Sequence, residues 1–179
     1  MLSFKFRQRC ETLAIEWRTK LRRRAFDSLP ASVLIEELDA QILTPSELVG
    51  LSEIAVRQLL EKDDWSAGII WLQPLRILYN PCHSPTRHES NLMHEIAHVL
   101  LEHPMLPFPM DGSLPTRDPR HEQEASYLGG CLQIPRRALV WAVQSRYSIT
   151  EIANHFGASE AMVQYRANVT GIQLIVPSI

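Results

Sequence analysis

His94, Glu95 and His98 stand in the pattern His-Glu-x-x-His within Ser84-Pro-Thr-Arg-His-Glu-Ser-Asn-Leu-Met-His-Glu-Ile-Ala-His. On a helix, residues four apart differ by about 40° around the axis. His94 and His98 would then face the same way and share one metal ion. Glu95 would stand beside them, turned too far to be a natural ligand but placed to hold a water. Two imidazoles that bind and one carboxylate that activates water are the division of labour of a zinc peptidase.

The geometry needs a helix, and the flanking residues supply one. Ser84 can cap it, with Pro85 at its first position. Leu92, Ile96, Val99 and Leu100 recur at helical spacing, and Pro104 stops the run. A third ligand must come from further along. One zincin class takes a histidine six residues after the second, but Pro104 stands there and Leu101 replaces the turn glycine. His103 is one place off and is expected to face away. The alternative is a glutamate from a following helix. Asp118 as cap and Pro119 at the first position predict such a helix, running to Pro135. Glu124 is the expected ligand and Glu122 the fallback. His121, one turn before Glu124, could stabilise an oxyanion; it could equally brace the ligands from behind or stand in solvent.

The remaining elements must position this site. The chain has 179 residues, 45% of them hydrophobic, enough for one domain with a real core. A net charge of −2 argues for neither nucleic acid nor membrane. No apolar run reaches transmembrane length, and charged residues from Arg7 to Arg18 interrupt any signal core. Cys10, Cys82 and Cys131 show no paired metal spacing and fit a reducing cytoplasm. Residues 4–26 read as one amphipathic helix with Phe6, Cys10, Leu13, Trp17 and Leu21 as its stripe. Its many basic residues read as a solvated face, with an acidic or nucleic-acid partner as the alternative. Short helices are expected over 30–62, with a capping box at Thr44-Pro45-Ser46-Glu47 and a cap at Ser52. Two apolar runs around Gln73-Pro74 predict a β-hairpin over 68–79, whose edge could take an extended peptide. The proline-rich stretch after Pro104 is expected to form a wall or lid of the cleft. Gly129 and Gly130 inside a helix imply close packing against another helix.

Residues 136–147 read as a further helix, and 150–168 as a helix-turn-helix with Ala153, Gly157 and Val163 at its small, turn and core positions. Arg166 is on its second helix. Residues 136–179 hold four arginines and two acidic residues, a thin basic excess, so a packing module is expected rather than a DNA reader. A short strand is expected over 172–176.

Arg87-x6-His94-Glu95-x-x-His98, followed by Glu124-Ala-x-x-x-Gly-Gly-x-Leu-x-Ile-Pro135, resembles the signature of the ImmA/IrrE family of bacterial metallopeptidases. The resemblance covers most of residues 44–171. Ser126, Leu128 and Gln133 depart from the family pattern, and none is an expected ligand. The resemblance places the third ligand at Glu124. It implies a cytoplasmic endopeptidase whose protein substrate is a helix-turn-helix repressor. The expected architecture is α+β: a mostly helical zincin-like domain over 1–135, with a small antiparallel sheet, and a C-terminal helix-turn-helix-like segment over 136–179. Zn2+ would be bound by His94, His98 and Glu124. Neither a membrane association nor direct DNA binding is expected. The reading from another class is a DNA-binding or protein-binding regulator with a structural metal site; such a site would be closed by a fourth ligand, and Glu95 would have no role.

Overall fold

A computed structural model describes residues 2–50, 52–61, 65–104 and 117–175. Their elements, in chain order, are α1 (Phe4–Lys20), α2 (Ala31–Glu37), β1 (Gln41–Leu43), α3 (Glu53–Glu61), β2 (Ala67–Leu72), β3 (Leu75–Tyr79), α4 (Pro85–Leu100), α5 (Pro119–Gln133), α6 (Arg136–Gln144), α7 (Ile149–Phe156) and α8 (Glu160–Thr170). The stretch expected to be a wall or lid of the cleft lies mostly outside the described residues. Among the described residues, no helix is long and apolar enough to cross a membrane. The chain groups into two compact units, Ala31–Ala125 and Met1–Pro30 with Ser126–Ile179. The boundary expected at 135/136 runs inside the second of these, which also takes α1.

In the unit Ala31–Ala125 the expected hairpin is present. β2 and β3 pair antiparallel, with Ile69 opposite Ile77 and a cis peptide at Gln73-Pro74. The sheet is mixed rather than antiparallel throughout, because β1 joins β3 in parallel, with Ile42 opposite Ile77. Three residues are too few to show a period-two pattern, so β1 left no signal in the sequence. The strand order β1-β3-β2 leaves β2 at an edge. Leu59, Trp65 and Leu78 form a small buried cluster beneath it. α4 packs on β2, β3 and α2, burying Met93, Ile96 and Ala97. Glu89 ties α4 to α2: its Oε1 accepts the Ala31 N–H at 2.6 Å, capping the start of α2. Ser52 and Asp118 cap α3 and α5 as expected, through Ala55 N–H and Arg120 N–H. Ser84 takes the cap position of α4, although its hydroxyl makes no capping hydrogen bond.

In the unit Met1–Pro30 with Ser126–Ile179, Ile134, Leu139, Ile152, Phe156 and Val163 belong to one buried cluster. α7 and α8 form the expected helix-turn-helix. Gly157 makes its turn at φ 62°, and Ser148 and Ser159 cap the two helices. Gly130 packs against α8, where an added Cβ would lie 3.0 Å from Arg166 Cδ. Arg166 is wholly buried. Its Nε donates to Ile134 O at 2.8 Å and its Nη2 pairs with Glu11. The one arginine that a DNA-reading second helix would have used is therefore an interior anchor. Residues 172–175 form no strand, and Val176 is outside the described residues.

α1 departs from expectation in two ways. Its buried stripe is Cys10, Ala14 and Arg18, a rotation from the stripe expected at Phe6 to Leu21. Arg18 is buried because its guanidinium donates to the carbonyls of Ala14, Asp27 and Gln133. Burial, and then Arg23, push its pKa down to about 10. The helix also ends at Lys20 rather than residue 26. Arg22 takes φ 55°, so that Arg23 N–H bonds back to Arg18 O at 2.7 Å. This turn usually carries glycine, and without one the sequence shows no stop.

Candidate metal centre

α4 presents His94 and His98 on one face, as their spacing dictates. Their Nε2 atoms are 3.1 Å apart. α5 supplies the third group, and it is Glu122. Glu122 Oε2 lies 3.0 Å from His94 Nε2, and Glu122 Oε1 lies 3.2 Å from His98 Nε2. These three residues form a group able to hold a metal ion. Tetrahedral zinc with bonds near 2.0–2.1 Å would hold such atoms about 3.4 Å apart. The contacts, with Oε2 of Glu122 against His94 and Oε1 against His98, are each within a few tenths of an ångström of that. Two imidazole nitrogens and a carboxylate are a donor set suited to a divalent cation. Burial works against the Glu122 charge, but its hydrogen bonds to His94 and His98 outweigh it and hold the carboxyl well below the usual carboxylate range.

Glu124, expected as the third ligand, is placed elsewhere. Glu122 and Glu124 are two positions apart, about 200° around the helix axis, so only one can face α4. Glu124 Oε2 meets His103 Nε2 at 3.2 Å, and its Oε1 accepts from Arg120 Nε at 2.9 Å. His103 does not face away, contrary to expectation. After α4 ends, Glu102 takes φ 55° and His103 N–H bonds back to His98 O at 3.1 Å. That turn swings the buried His103 ring under His98, with the two Nδ1 atoms 2.9 Å apart. The protons follow from this chain of contacts. If His98 Nε2 keeps its lone pair for a metal, its Nδ1–H donates to His103 Nδ1, and His103 Nε2–H donates to Glu124. Burial lowers the His103 pKa, with Glu124 opposing, which keeps the ring neutral as this relay requires. Carboxylates in such outer positions orient histidine ligands and raise their basicity. His121 stacks on His103, ring centroids 4.4 Å apart, and joins this supporting layer.

Glu95 is 3% exposed and has a partner that sequence reasoning missed. Arg117 Nη1 donates to Glu95 Oε1 at 3.1 Å and Nη2 to Oε2 at 2.8 Å. Arg117 Nη1 also reaches Glu122 Oε1 at 3.5 Å. Burial pulls the guanidinium pKa down, but Glu95 and then Glu122 raise it above its ordinary value. A Cβ on Gly68 would lie 3.9 Å from Arg117 Nη2, so the guanidinium sits beside β2. Arg117 follows a proline-rich stretch with no periodicity, so nothing in the sequence marked it. Arg87 donates to Ser66 Oγ at 3.4 Å and does not touch the metal group. His88 bonds Asn80 O at 2.9 Å, and His83 lies 3.4 Å from Asn91 Nδ2.

Residues 52–168 match the peptidase M78 family, described as the IrrE N-terminal-like domain. The chain belongs to that family. The matched span contains α4 and α5 entire, and with them every residue of the metal group of this IrrE-like chain. No curated protein matches the sequence. Among solved structures, a Mycobacterium tuberculosis transcriptional regulator is similar, with TM-score 0.58 at 15% identity, over 90% of this chain and 46% of that one. The IrrE-like chain thus spans about half the length of that neighbour, and at this identity the likeness is one of fold.

Proposed function

We propose that this IrrE-like chain is a zinc endopeptidase in which His94, His98 and Glu122 hold the metal and Glu95 is the general base. The observation that carries the reading is the meeting of Glu122 of α5 with both histidines of α4, where the buried carboxylate of Glu95 directly follows His94. When bound, zinc would supply a Lewis acid for the scissile carbonyl and lower the pKa of water. Glu95 takes a proton from the attacking water and passes it to the leaving amine. Arg117 holds the Glu95 carboxylate by both oxygens beforehand. It must release one of them for the transfer, and the freed N–H can then donate to the developing oxyanion. The open edge of β2 can take an extended peptide by backbone hydrogen bonds. Trp71 and Leu72 at its end, 60% and 50% exposed, offer side-chain contacts. A helix-turn-helix repressor is the substrate class that the family resemblance implies, and a cytoplasmic location goes with it.

A second reading, a regulator with a structural metal, has some support in the name of the structural neighbour. Glu95 separates the two. Glu95→Gln keeps all three proposed ligands, so zinc should stay bound. Cleavage of a cognate repressor should fall by roughly 10²–10⁴-fold, and the uncut repressor should co-purify with the variant. Cleavage at the wild-type rate would remove Glu95 from the mechanism and return the regulator reading to the front.

A further inference from the structure

One face of α1 plays no part in the candidate metal centre, yet it lines a cleft of its own. Phe4, Arg7, Glu11, Ile15 and Thr19 follow one another at helical spacing along one wall of a cavity of about 1080 Å³. The other walls come from Tyr127 on α5, Arg136 and Arg137 at the start of α6, and Val169 and Thr170 near the end of α8. All of these belong to the unit Met1–Pro30 with Ser126–Ile179.

Its size and walls select the kind of occupant. From Phe4 to Thr19 a helix rises about 22 Å at roughly 1.5 Å per residue. The volume is just above the roughly 300–1,000 Å³ that encloses a small ligand. Phe4 is 68% exposed and both Arg136 and Arg137 are exposed, so the cleft is a trough rather than an enclosure. Its walls are helices, with no strand edge for β-addition. A trough of this length between helices suits a docked helix.

The charges select its chemistry. Arg7, Arg136 and Arg137 face the trough against Glu11 and Glu16. Glu11 is already spent within the fold: it pairs with Arg166 and accepts the Arg136 N–H at 2.8 Å. Arg7 Nε is buried with no hydrogen-bond partner, and a donor in that state wants an acceptor. Phe4, Ile15 and Val169 add apolar surface that a phosphate backbone would leave uncovered.

We infer that this trough docks an amphipathic helix of a protein partner. The aliphatic face of the partner lies on Phe4, Ile15 and Val169, and its acidic flank meets Arg7, Arg136 and Arg137. The site works independently of the metal centre.

The test uses the full chain carrying Glu95→Gln, so that no probe is cut. The probe is a fluorescent peptide of about 16 residues, long enough to span the trough, with leucine at i, i+3, i+4 spacing and glutamate on its flanks. Its controls are the same peptide with glutamine for glutamate, single-stranded DNA of matching length, and dodecanoate as competitor. The acidic peptide should bind about 10-fold or more tighter than the glutamine version, and weaken with salt. Arg137→Glu and Arg7→Gln should each weaken it about 10-fold, while Arg22→Glu, outside the trough, should not. Circular dichroism and zinc content serve to show that each variant is folded. Equal binding of both peptides, or indifference to Arg137→Glu, would overturn the inference. So would tighter binding of DNA or displacement by dodecanoate, which would assign the trough to a nucleic acid or a small amphiphile. Self-association abolished by Arg137→Glu would assign it to a second copy of this chain.

Discussion

In the proposed metal site, Glu122 and Glu124 would have separate tasks. Glu122 closes the triangle with His94 and His98, while Glu124 ends the relay that runs through His103 to His98. Removing each should therefore cost different amounts of metal affinity. Glu124→Gln loosens the orientation of His98 and should weaken zinc binding by about 10–100-fold. Glu122→Gln removes a ligand atom and should weaken it by more than that. Chelator competition on the two purified variants checks the order; the reverse order would move the third ligand to Glu124. The histidine pair was legible because helical spacing fixes it without help from the rest of the chain. Which of the two glutamates meets that pair was not, because it depends on the rotation of α5 against α4, which no local pattern encodes. Arg117 was hidden for a related reason: its role is set by contacts in space with Glu95 and Glu122, and its neighbours in sequence say nothing of them.

Helix starts were read well and helix ends were not. Asp118 with Pro119, and Ser52, are side-chain signals that capping chemistry makes specific. The ends of α1 and α4 use arginine and glutamate where glycine is the usual mark, so the first was drawn too long and His103 was sent the wrong way. Gly130, like Gly157, was read correctly. An alanine there would set its Cβ 3.0 Å from Arg166 Cδ and 3.2 Å from Tyr165 Cε1. Arg166 is fastened by Ile134 O and Glu11 and has little freedom to retreat. Overpacking of this kind costs about 1–3 kcal/mol, against about 1 kcal/mol gained in helix propensity. Gly130→Ala should therefore lower stability by about 1 kcal/mol in urea denaturation. A gain would mean that α5 and α8 can separate by a few tenths of an ångström without loss.

Metal should act on only one of the two units. Every group of the metal centre falls within Ala31–Ala125, where Leu59, Trp65 and Leu78 make up a small buried cluster. The other unit holds a larger cluster that contains Ile134, Leu139 and Phe156. A ligand that binds only the folded form stabilises it by about 2.7 kcal/mol at a hundred times its Kd. Adding zinc to chelated protein should slow amide exchange in α4 and in 119–125, while amides of α6 to α8 keep their rates. Slowing spread evenly over both would show that they open together. The α+β class was legible from the hairpin and the long helices. The grouping of α1 with residues 126–133 of α5 and with α6 to α8 was not, since it rests on Glu11 and Arg18 reaching partners more than a hundred residues away.

Among the described residues, four helices end in a left-handed residue that is not glycine: Arg22, Asp39, Glu102 and Arg146, with φ between 49° and 61°. All four side chains are exposed. For an L-residue this conformation costs about 1–2 kcal/mol, and glycine adopts it freely at some loss of chain entropy. The protein therefore carries an untapped margin for thermal hardening, at positions remote from its core. Arg22→Gly with Arg146→Gly should together add about 1 kcal/mol, raising Tm by roughly 2–4 °C in a chain of this size. Glu102 is the one to leave alone in such a scheme, because it sets where His103 stands. A hardened background of this kind would tolerate substitutions at Glu95, Arg117 or Glu122 that unfold the native chain, so that loss of chemistry could be told apart from loss of fold.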